Sequence, residues 1–441
     1  MRSLFVLENY FWERSKNNYH PGFLLSVLLN KPIPDEVLTE SLRLAGKDFP
    51  QLFQRIEEGD DTQPAKVVRI SRTLLTEDVI IHVEDDEANN IFGTYKLEPT
   101  SEATSWVILV RENRLTLLAD HTLFDGMSAF NLLNAVISYA NKGVTSLNKV
   151  IYNPNTPSSS SSSSSLSVHP FDELQRTLAW KLKAKIAPIW IQYISPILSK
   201  IFSSQNLVIP EFDLDKYLFT ADRVIDQDNC HYRWNLSAEK LASILSYCRR
   251  HDITLTVWIC AKIVEQLTKL KNATKGNVIS IEIPVNQRPY LVKSLGKDPK
   301  SIAVGTYISV SNCAVDIAKD NLKFRSLVKI VQDQLNKSKD DPISGIEYVK
   351  LLEQVDIKKY VLTKFSGSFP NSTFELSNLG LLDPSSIEDV YQLLDAEFQQ
   401  PKLASSLFCC SAISTRLGGC QIVISYPLAL NDLLRPLFEN L

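Results

Sequence analysis

The most constraining feature of the chain is a strand–turn–strand–turn–helix pattern in residues 106–140. Residues 106–111 and 115–119 are apolar runs typical of strands, and the polar residues between them predict a tight turn. From Phe130 to Ala140, apolar residues recur at helical spacing, which predicts a helix that begins near Ser128 with this serine as its N-cap. The segment between the second strand and the helix is therefore short and held at both ends.

His121, Asp125 and Gly126 occupy this short segment in the order His-x-x-x-Asp-Gly. A neutral imidazole, whose ordinary pKa is ~6.5, accepts a proton at neutral pH, and a rigid turn keeps such a general base both fixed and reachable. Gly126 tolerates the positive φ or the close approach that a sharp turn demands. The alternative is a surface turn in which Asp-Gly only forms the turn. Because a chance match in the chain has odds on the order of one in a hundred, the pattern favours a chemical site.

Residues 121–126 resemble the HxxxDG motif of the CoA-dependent acyltransferase superfamily, which includes chloramphenicol acetyltransferase and the condensation domains of peptide synthetases. Within this superfamily, the chain is most similar to the fungal alcohol acetyltransferase family. The segments that resemble that family are spread along the chain: residues 7–11 with Arg14, 49–52, 284–288, 377–380 and 411–419. The resemblance implies an α/β fold of two chloramphenicol-acetyltransferase-like lobes, with mixed sheets and a channel at their interface.

The same resemblance implies roles for particular residues. His121 and Asp125 are the candidate catalytic residues, with His121 as general base for direct transfer from acetyl-CoA, without an acyl-enzyme. Asp125 and Gly126 would hold the motif in shape, with Asp125 paired to Arg288, the matching arginine position. Asn378, in a Ser-Asn-x-Gly turn, is a weaker candidate for contact with the oxyanion or substrate, since Asn before x-Gly also serves turn formation alone. Acetyl-CoA is expected as a co-substrate, with no tightly bound cofactor and no metal.

The predicted function is acetyl transfer from acetyl-CoA to the hydroxyl of a hydrophobic alcohol. A close alternative is N-acetylation of a hydrophobic amine or a sphingoid-like amino alcohol. A different class of function is a non-catalytic homologue that binds a lipid or a partner at the lobe interface. The presence of His121, Asp125 and Gly126 together argues against the non-catalytic homologue.

Composition excludes several other classes of function. The 441 residues are 44% hydrophobic, enough for one large core or two ordinary ones. A formal charge of −3 argues against the extended basic surface that nucleic-acid binding requires. We also expect the protein to be a monomer. The seven cysteines are odd in number and lack C-x-x-C spacing, which predicts reduced thiols in a cytoplasmic protein. The N-terminal residues contain no uninterrupted apolar run typical of a secretory signal.

Residues 153–157 followed by eight serines, Ser158–Ser165, form the clearest internal boundary. Polyserine cannot bury enough apolar surface to offset its chain entropy, which predicts a flexible surface excursion. The expected organisation is an N-terminal acyltransferase lobe at 1–152, a Ser-rich linker with an apolar crossover helix at 153–210, and a C-terminal acyltransferase lobe at 211–441.

The crossover segment 174–202 is unusually apolar from Ile186 onward, and three lysines precede that apolar run: Lys181, Lys183 and Lys185. Two prolines interrupt it, and its apolar run is shorter than the ~20 residues that a bilayer core requires. The segment therefore predicts either an interfacial helix, with peripheral contact to endoplasmic reticulum or lipid-droplet membrane, or a helix that packs over the substrate channel.

Periodicity predicts the remaining elements, with strands and helices alternating in both halves. The expected strands are 23–29, 67–70, 79–83, 278–284, 301–310, 407–414 and 421–426, and the expected helices are 34–44, 238–250, 254–270 and 322–338.

Overall fold

The computed structural model describes the chain apart from residues 18, 20–21, 60–63, 85–90, 157–165, 167, 191–193, 195–228, 271–275, 319–321, 366–371 and 402–405. The polyserine run and most of residues 191–202 therefore lie outside the described residues.

The described helices, numbered in chain order, are α1 (Val6–Lys16), α2 (Asp35–Asp48), α3 (Thr76–Val79), α4 (Ile91–Thr94), α5 (Gly126–Asn141), α6 (Pro170–Glu173), α7 (Leu178–Ile189), α8 (Ala238–Arg250), α9 (Leu255–Leu267), α10 (Arg288–Leu295), α11 (Phe324–Asp340), α12 (Pro342–Lys350), α13 (Ile357–Phe365) and α14 (Asn431–Phe438). The described strands are β1 (Arg2–Ser3), β2 (Phe23–Leu29), β3 (Gln54–Glu57), β4 (Lys66–Arg69), β5 (Leu74–Leu75), β6 (Ile80–His82), β7 (Trp106–Arg111), β8 (Arg114–Ala119), β9 (Val150–Tyr152), β10 (Asn229–Leu236), β11 (Val278–Asn286), β12 (Ile308–Asp316), β13 (Ser372–Leu382), β14 (Leu393–Gln399), β15 (Ser406–Thr415) and β16 (Gly419–Pro427).

Two large mixed sheets organise the molecule. The first has the strand order β14-β2-β8-β7-β6, and the second has the order β10-β16-β15-β13-β11-β12. Each sheet combines antiparallel neighbours with parallel ones, such as β6 with β7 and β13 with β15. Apolar side chains of α2 and α5 form one core with the first sheet, and those of α8, α9, α11 and α14 form another with the second. The predicted α/β fold with mixed sheets is confirmed.

Strand β14 connects the two halves of the chain. It belongs to residues 211–441, yet it pairs with β2 in the first sheet, with Phe398 opposite Leu25. The C-terminal half therefore supplies an edge strand to the sheet that carries the turn at residues 120–125, which we call the His121 turn. The domain boundaries at 152 and 210 stay a prediction.

A third hydrophobic cluster joins α1 to the second half of the chain. Phe5, Tyr10 and Phe11 of the N-terminal segment pack with Tyr307 and with residues of α12 and α13. Helix α1 thus lies where both halves meet, beside the turn that follows β8.

One expected strand is wrong. Residues 301–310 were expected to be extended, but Pro299–Ile302 is a 3₁₀ turn and the strand β12 begins only at Ile308. Gly305 has φ +145°, and the backbone between the turn and β12 makes hydrogen bonds to the His121 turn instead of to a sheet. Likewise, the expected strand 79–83 is shorter, because Thr76–Val79 forms a helical turn before β6.

All seven cysteines are free thiols, six of them buried. Among the described residues, no helix combines the length and the apolar character that crossing a membrane requires.

Candidate active site

The turn between β8 and α5 is capped by Asp125. Its Oδ1 accepts a hydrogen bond from the Ser128 backbone N–H at 2.9 Å, and the Ser128 hydroxyl oxygen accepts one from the Asp125 N–H at 3.3 Å. This reciprocal pair is a capping box. The expected cap at Ser128 is therefore wrong: the helix begins at Gly126, two residues earlier, because the carboxylate of Asp125 accepts the Ser128 N–H, one of the backbone N–H groups that the start of a helix leaves free.

Asp125 and Arg288 form a buried bidentate pair. Arg288 Nη1 lies 2.8 Å from Asp125 Oδ2, and Nη2 lies 2.9 Å from Oδ1. Only 1% of the Asp125 side chain is exposed. Burial acts to raise the pKa of Asp125, but the Arg288 charge and its hydrogen bonds outweigh that effect, so the pKa is lowered and the group is a carboxylate. The expected pairing is present, and it joins the turn to α10.

The loop before β12 holds the turn from the second half of the chain. The Tyr307 N–H donates to Asp125 Oδ2 at 3.0 Å, and the Thr306 hydroxyl donates to the Thr122 carbonyl at 3.2 Å. The Ser128 hydroxyl donates to the Gly305 carbonyl at 2.9 Å. Both carboxylate oxygens of Asp125 accept hydrogen bonds from protein groups. These hydrogen bonds fix the turn.

His121 stands at the start of the turn, between two aromatic rings. Phe11 stacks on the imidazole with ring centroids 4.0 Å apart and planes 6° apart, and Phe23 meets it edge-on at 5.3 Å. Nδ1 is buried, whereas the residue as a whole is partly exposed. Burial is the largest cause that lowers the pKa of His121 to about 4, with a smaller contribution from the positive charge of Arg14. The imidazole is therefore neutral at neutral pH.

Asp120, the residue before His121, anchors the turn to α1. Ser15 Oγ donates to Asp120 Oδ2 at 2.5 Å, and the Thr122 N–H donates to Oδ1 at 2.7 Å. Burial raises the pKa of Asp120, while these hydrogen bonds act in the opposite direction. The backbone on both sides of His121 is thus held by hydrogen bonds.

Asn378 lies in a bulge inside β13 rather than in a free turn. Its Oδ1 accepts from the Gly380 N–H at 2.9 Å, and its Nδ2 donates to Thr256 Oγ1 at 3.2 Å. The neighbouring Leu379 packs so closely on Gly126 that a Cβ at that glycine would lie 2.7 Å from Leu379 Cδ2. The bulge therefore touches the motif through Leu379, and the absence of a Cβ at Gly126 allows this close contact.

A cavity of about 440 Å³ lies between α5 and α10. Met127 and Asn131 of α5 line one side, and Arg288 and Val292 of α10 line the other. It opens beside the Asp125–Arg288 pair, and His121 is not among its described lining residues.

Sequence reasoning missed three contributors to the site. Phe11 and Ser15 of α1 contact the His121 turn directly, and Tyr307 supplies a backbone N–H to Asp125. The resemblance of residues 7–14 to the family's N-terminal helix was the signal that could have found the first two. No cluster of His, Cys, Asp or Glu suited to a metal ion occurs among the described residues.

Comparison with known proteins assigns the family. The alcohol acetyltransferase family model matches residues 82–435, which include the turn, Arg288 and Asn378. The chain belongs to this family. The protein is accordingly a CoA-dependent acyltransferase, and the resemblance expected from the HxxxDG motif is confirmed.

Relatives and solved structures agree with that assignment. N-acetyltransferase SLI1 of Saccharomyces cerevisiae is 26% identical over 455 residues, covering 98% of this chain and 97% of the relative. The structure of TRI3 trichothecene 15-O-acetyltransferase from Fusarium sporotrichioides aligns with a TM-score of 0.66 at 12% identity, covering 99% of this chain and 93% of that one. The condensation domain of the MokA polyketide synthase aligns with a TM-score of 0.63 at 13% identity, covering 100% and 95%. These two structures show a shared two-lobed fold.

Proposed function

We propose that the protein transfers the acetyl group of acetyl-CoA to a hydrophobic acceptor, with His121 as the general base. The observation that carries this proposal is the neutral, partly exposed imidazole in a turn that the buried Asp125–Arg288 pair fixes. A rigid base held next to an acceptor is what proton removal during attack requires.

In the proposed reaction, the acceptor oxygen or nitrogen attacks the thioester carbonyl carbon while His121 takes its proton. The tetrahedral oxyanion then collapses, the carbon–sulfur bond breaks, and the CoA thiolate receives the proton from the imidazolium. The oxyanion needs a donor. Asn378 stays our candidate for this contact, and its Nδ2 would have to exchange its hydrogen bond to Thr256 for one to the oxyanion.

Different observations favour each acceptor atom. The family description and the O-acetyltransferase fold support a hydroxyl, as the sequence predicted. The full-length relative named an N-acetyltransferase supports an amine.

Acetyl transfer to matched straight-chain alcohols and amines, at fixed acetyl-CoA, tests the proposal. We expect specificity to rise with chain length and then to level off, since each buried methylene contributes up to about 0.8 kcal/mol. Preference for amines would assign N-acetylation, and preference for alcohols would assign ester formation. The assay is validated with an active member of the same family. If the protein then binds CoA but acetylates no acceptor, it is a non-catalytic binding protein and the proposal is wrong.

We also propose that α7 rests on an anionic membrane surface. The exposed apolar residues of α7, together with Trp190 at its C-cap, form one stripe: Leu178, Leu182, Ile186, Ile189 and Trp190. At 100° per residue, Lys181 and Lys185 flank that stripe on one side and Lys183 on the other. The opposite face packs on the protein, where Trp180 Nε1 donates to the Glu347 carbonyl at 3.0 Å. Apolar residues bordered by lysines are typical of interfacial helices.

Sedimentation with vesicles of neutral or mixed anionic lipid tests this contact. The wild-type protein should bind the anionic vesicles, and Ile186→Glu should abolish binding. Leu147→Glu is the matched control, because Leu147 is 97% exposed and lies outside α7. Equal binding of the two variants would contradict the assignment to α7. Absence of wild-type binding would contradict the membrane contact and would mean that another part of the chain covers the apolar stripe of α7.

A further inference from the structure

Helix α1 contacts the proposed base directly. The Phe11 ring lies parallel to the His121 imidazole at 4.0 Å, and 6% of Phe11 is exposed. Ser15, one turn further along the helix, donates to Asp120 next to the imidazole. Two points on the same helix thus fix both the plane of the ring and the backbone that carries it.

Arg14 completes this face of α1. Its guanidinium carbon lies 5.4 Å from the centroid of the Phe11 ring and 5.4 Å from that of Tyr10. The residue is buried, so its charge acts through a medium that screens it weakly. The charged groups that face His121 are Arg14 from α1 and Asp125 from its own turn, and they act on its pKa in opposite directions.

The position of α1 depends in turn on the second half of the chain. Tyr10 lies 6.3 Å from Tyr360 of α13, between ring centroids, and α1 shares a hydrophobic cluster with α12 and α13. The imidazole plane is therefore linked by a short chain of packed side chains to helices outside the HxxxDG turn.

We propose that Phe11 and Arg14 are positioning residues for acetyl transfer, acting through His121. Phe11 holds the imidazole plane so that Nε2 faces the acceptor while Nδ1 stays buried. Arg14 packs on the Phe11 ring and adds a positive charge that disfavours the imidazolium, in the same direction as burial. This inference rests on the proposed role of His121 as general base, and neither residue is part of the motif.

Substitution of Phe11 tests the orientation. Phe11→Leu removes the ring, and we expect kcat to fall by roughly 10–100-fold with little change in KM for acetyl-CoA, because small misplacement of a catalytic group is costly. Phe11→Tyr keeps the stacked ring and should restore most of kcat. Trp12→Leu is the matched control, since Trp12 is a buried aromatic residue of the same helix in a different core. Equal losses of kcat in Phe11→Leu and Trp12→Leu would overturn the proposal for Phe11.

Titration of His121 by NMR tests Arg14 without any substrate. The chain has six histidines, and the His121 signal is assigned by its loss in His121→Gln. We expect Arg14→Gln to shift the His121 titration upward by roughly one pH unit, and Arg14→Lys to leave it near its wild-type position. An unchanged titration in folded Arg14→Gln would overturn the role of Arg14. If the titration shifts as expected but no acceptor is acetylated, the proposed function fails and the electrostatic role stands.

Discussion

Two histidines in this molecule have nearly the same surroundings. His121 stacks on Phe11 at 4.0 Å and meets Phe23 edge-on at 5.3 Å, whereas His169 stacks on Phe5 at 4.2 Å and meets Phe171 edge-on at 5.1 Å. Burial lowers the pKa of both to about 4. An aromatic pocket and a depressed pKa are therefore not by themselves marks of a catalytic group.

The difference lies in access and in what fixes the backbone. His169 is 4% exposed, and its Nδ1 caps the short helix α6 by accepting from the Phe171 N–H at 3.2 Å. His121 is partly exposed, and its turn is fixed by a buried ion pair that comes from another element. We infer that His169 stabilises the helix α6 that it caps, whereas His121 is positioned to act as the general base.

The largest expected effect separates the two histidines by activity. His121→Ala should lower kcat by about 10²–10⁴-fold, the typical cost of losing a positioned base, while the fold and CoA affinity remain. His169→Ala should lower thermal stability instead and retain turnover within about tenfold, because it touches no proposed reacting atom. Steady-state kinetics with melting curves measure both. Similar loss of turnover in folded protein for both variants would contradict the distinction.

The next effect concerns the ion pairs beside the two histidines. Asp125→Asn and Arg288→Ala each leave a buried group without its partner, which costs about 3–5 kcal/mol of unfolding free energy. Beside His169, Lys350 lies 3.5 Å from Asp172, whose side chain is 35% exposed. The Lys350 side chain itself is only 3% exposed, but Lys350→Met replaces its buried charge by an apolar group and leaves Asp172 in contact with water, so we expect a cost of less than about 1 kcal/mol.

A double-mutant cycle in denaturant unfolding measures the first pair. The Asp125→Asn, Arg288→Ala double variant should be no less stable than the worse single variant. Fully additive losses would show that the two residues do not interact.

A third effect follows from the depressed pKa values. The unfolded state binds protons at these imidazoles below about pH 6.5 and the folded state only near pH 4, so stability falls as pH drops between those values. His169→Asn keeps a cap and should reduce this slope by up to about 1.4 kcal/mol per pH unit. His121→Asn should reduce the slope by a similar amount, because the pKa of both imidazoles is lowered to about 4. A clearly smaller reduction for His121→Asn, from unfolding at several pH values, would show that its partial exposure lets His121 take up a proton more easily than His169.

Local pattern predicted the parts of the site that are close in sequence. The hairpin β7–β8 follows from the apolar runs around a two-residue turn at Glu112 and Asn113, and the helical spacing of residues 130–140 predicted the body of α5. The Asp125–Arg288 pair joins residues 163 positions apart, and only the resemblance to a family suggested it. Distance along the chain likewise hid the stack of Phe11 on His121.

Periodicity also failed where backbone groups serve the site instead of a sheet. Residues 301–310 are apolar enough for a strand, but Gly305 and Tyr307 direct their backbone N–H groups to Ser128 and Asp125. Strand β14 was missed for a related reason: its partner β2 lies in the other half of the chain. Sequence spacing carries no information about such distant partners.

The smallest effect tests whether the two histidine regions depend on the chain that connects them. Ser158–Ser165 lies between the His121 turn and His169 in sequence. Deleting these eight serines shortens a connection whose closure free energy depends only on the logarithm of its length, so unfolding free energy should change by less than about 0.6 kcal/mol. Turnover should stay within twofold of wild type. Replacement of the run by eight residues of Gly and Ser is the matched control for length. A large loss in the deletion alone would mean that the connection is taut and that His169 and its helix are held in place by strain, whereas a loss in both variants would assign a contact to the serines themselves.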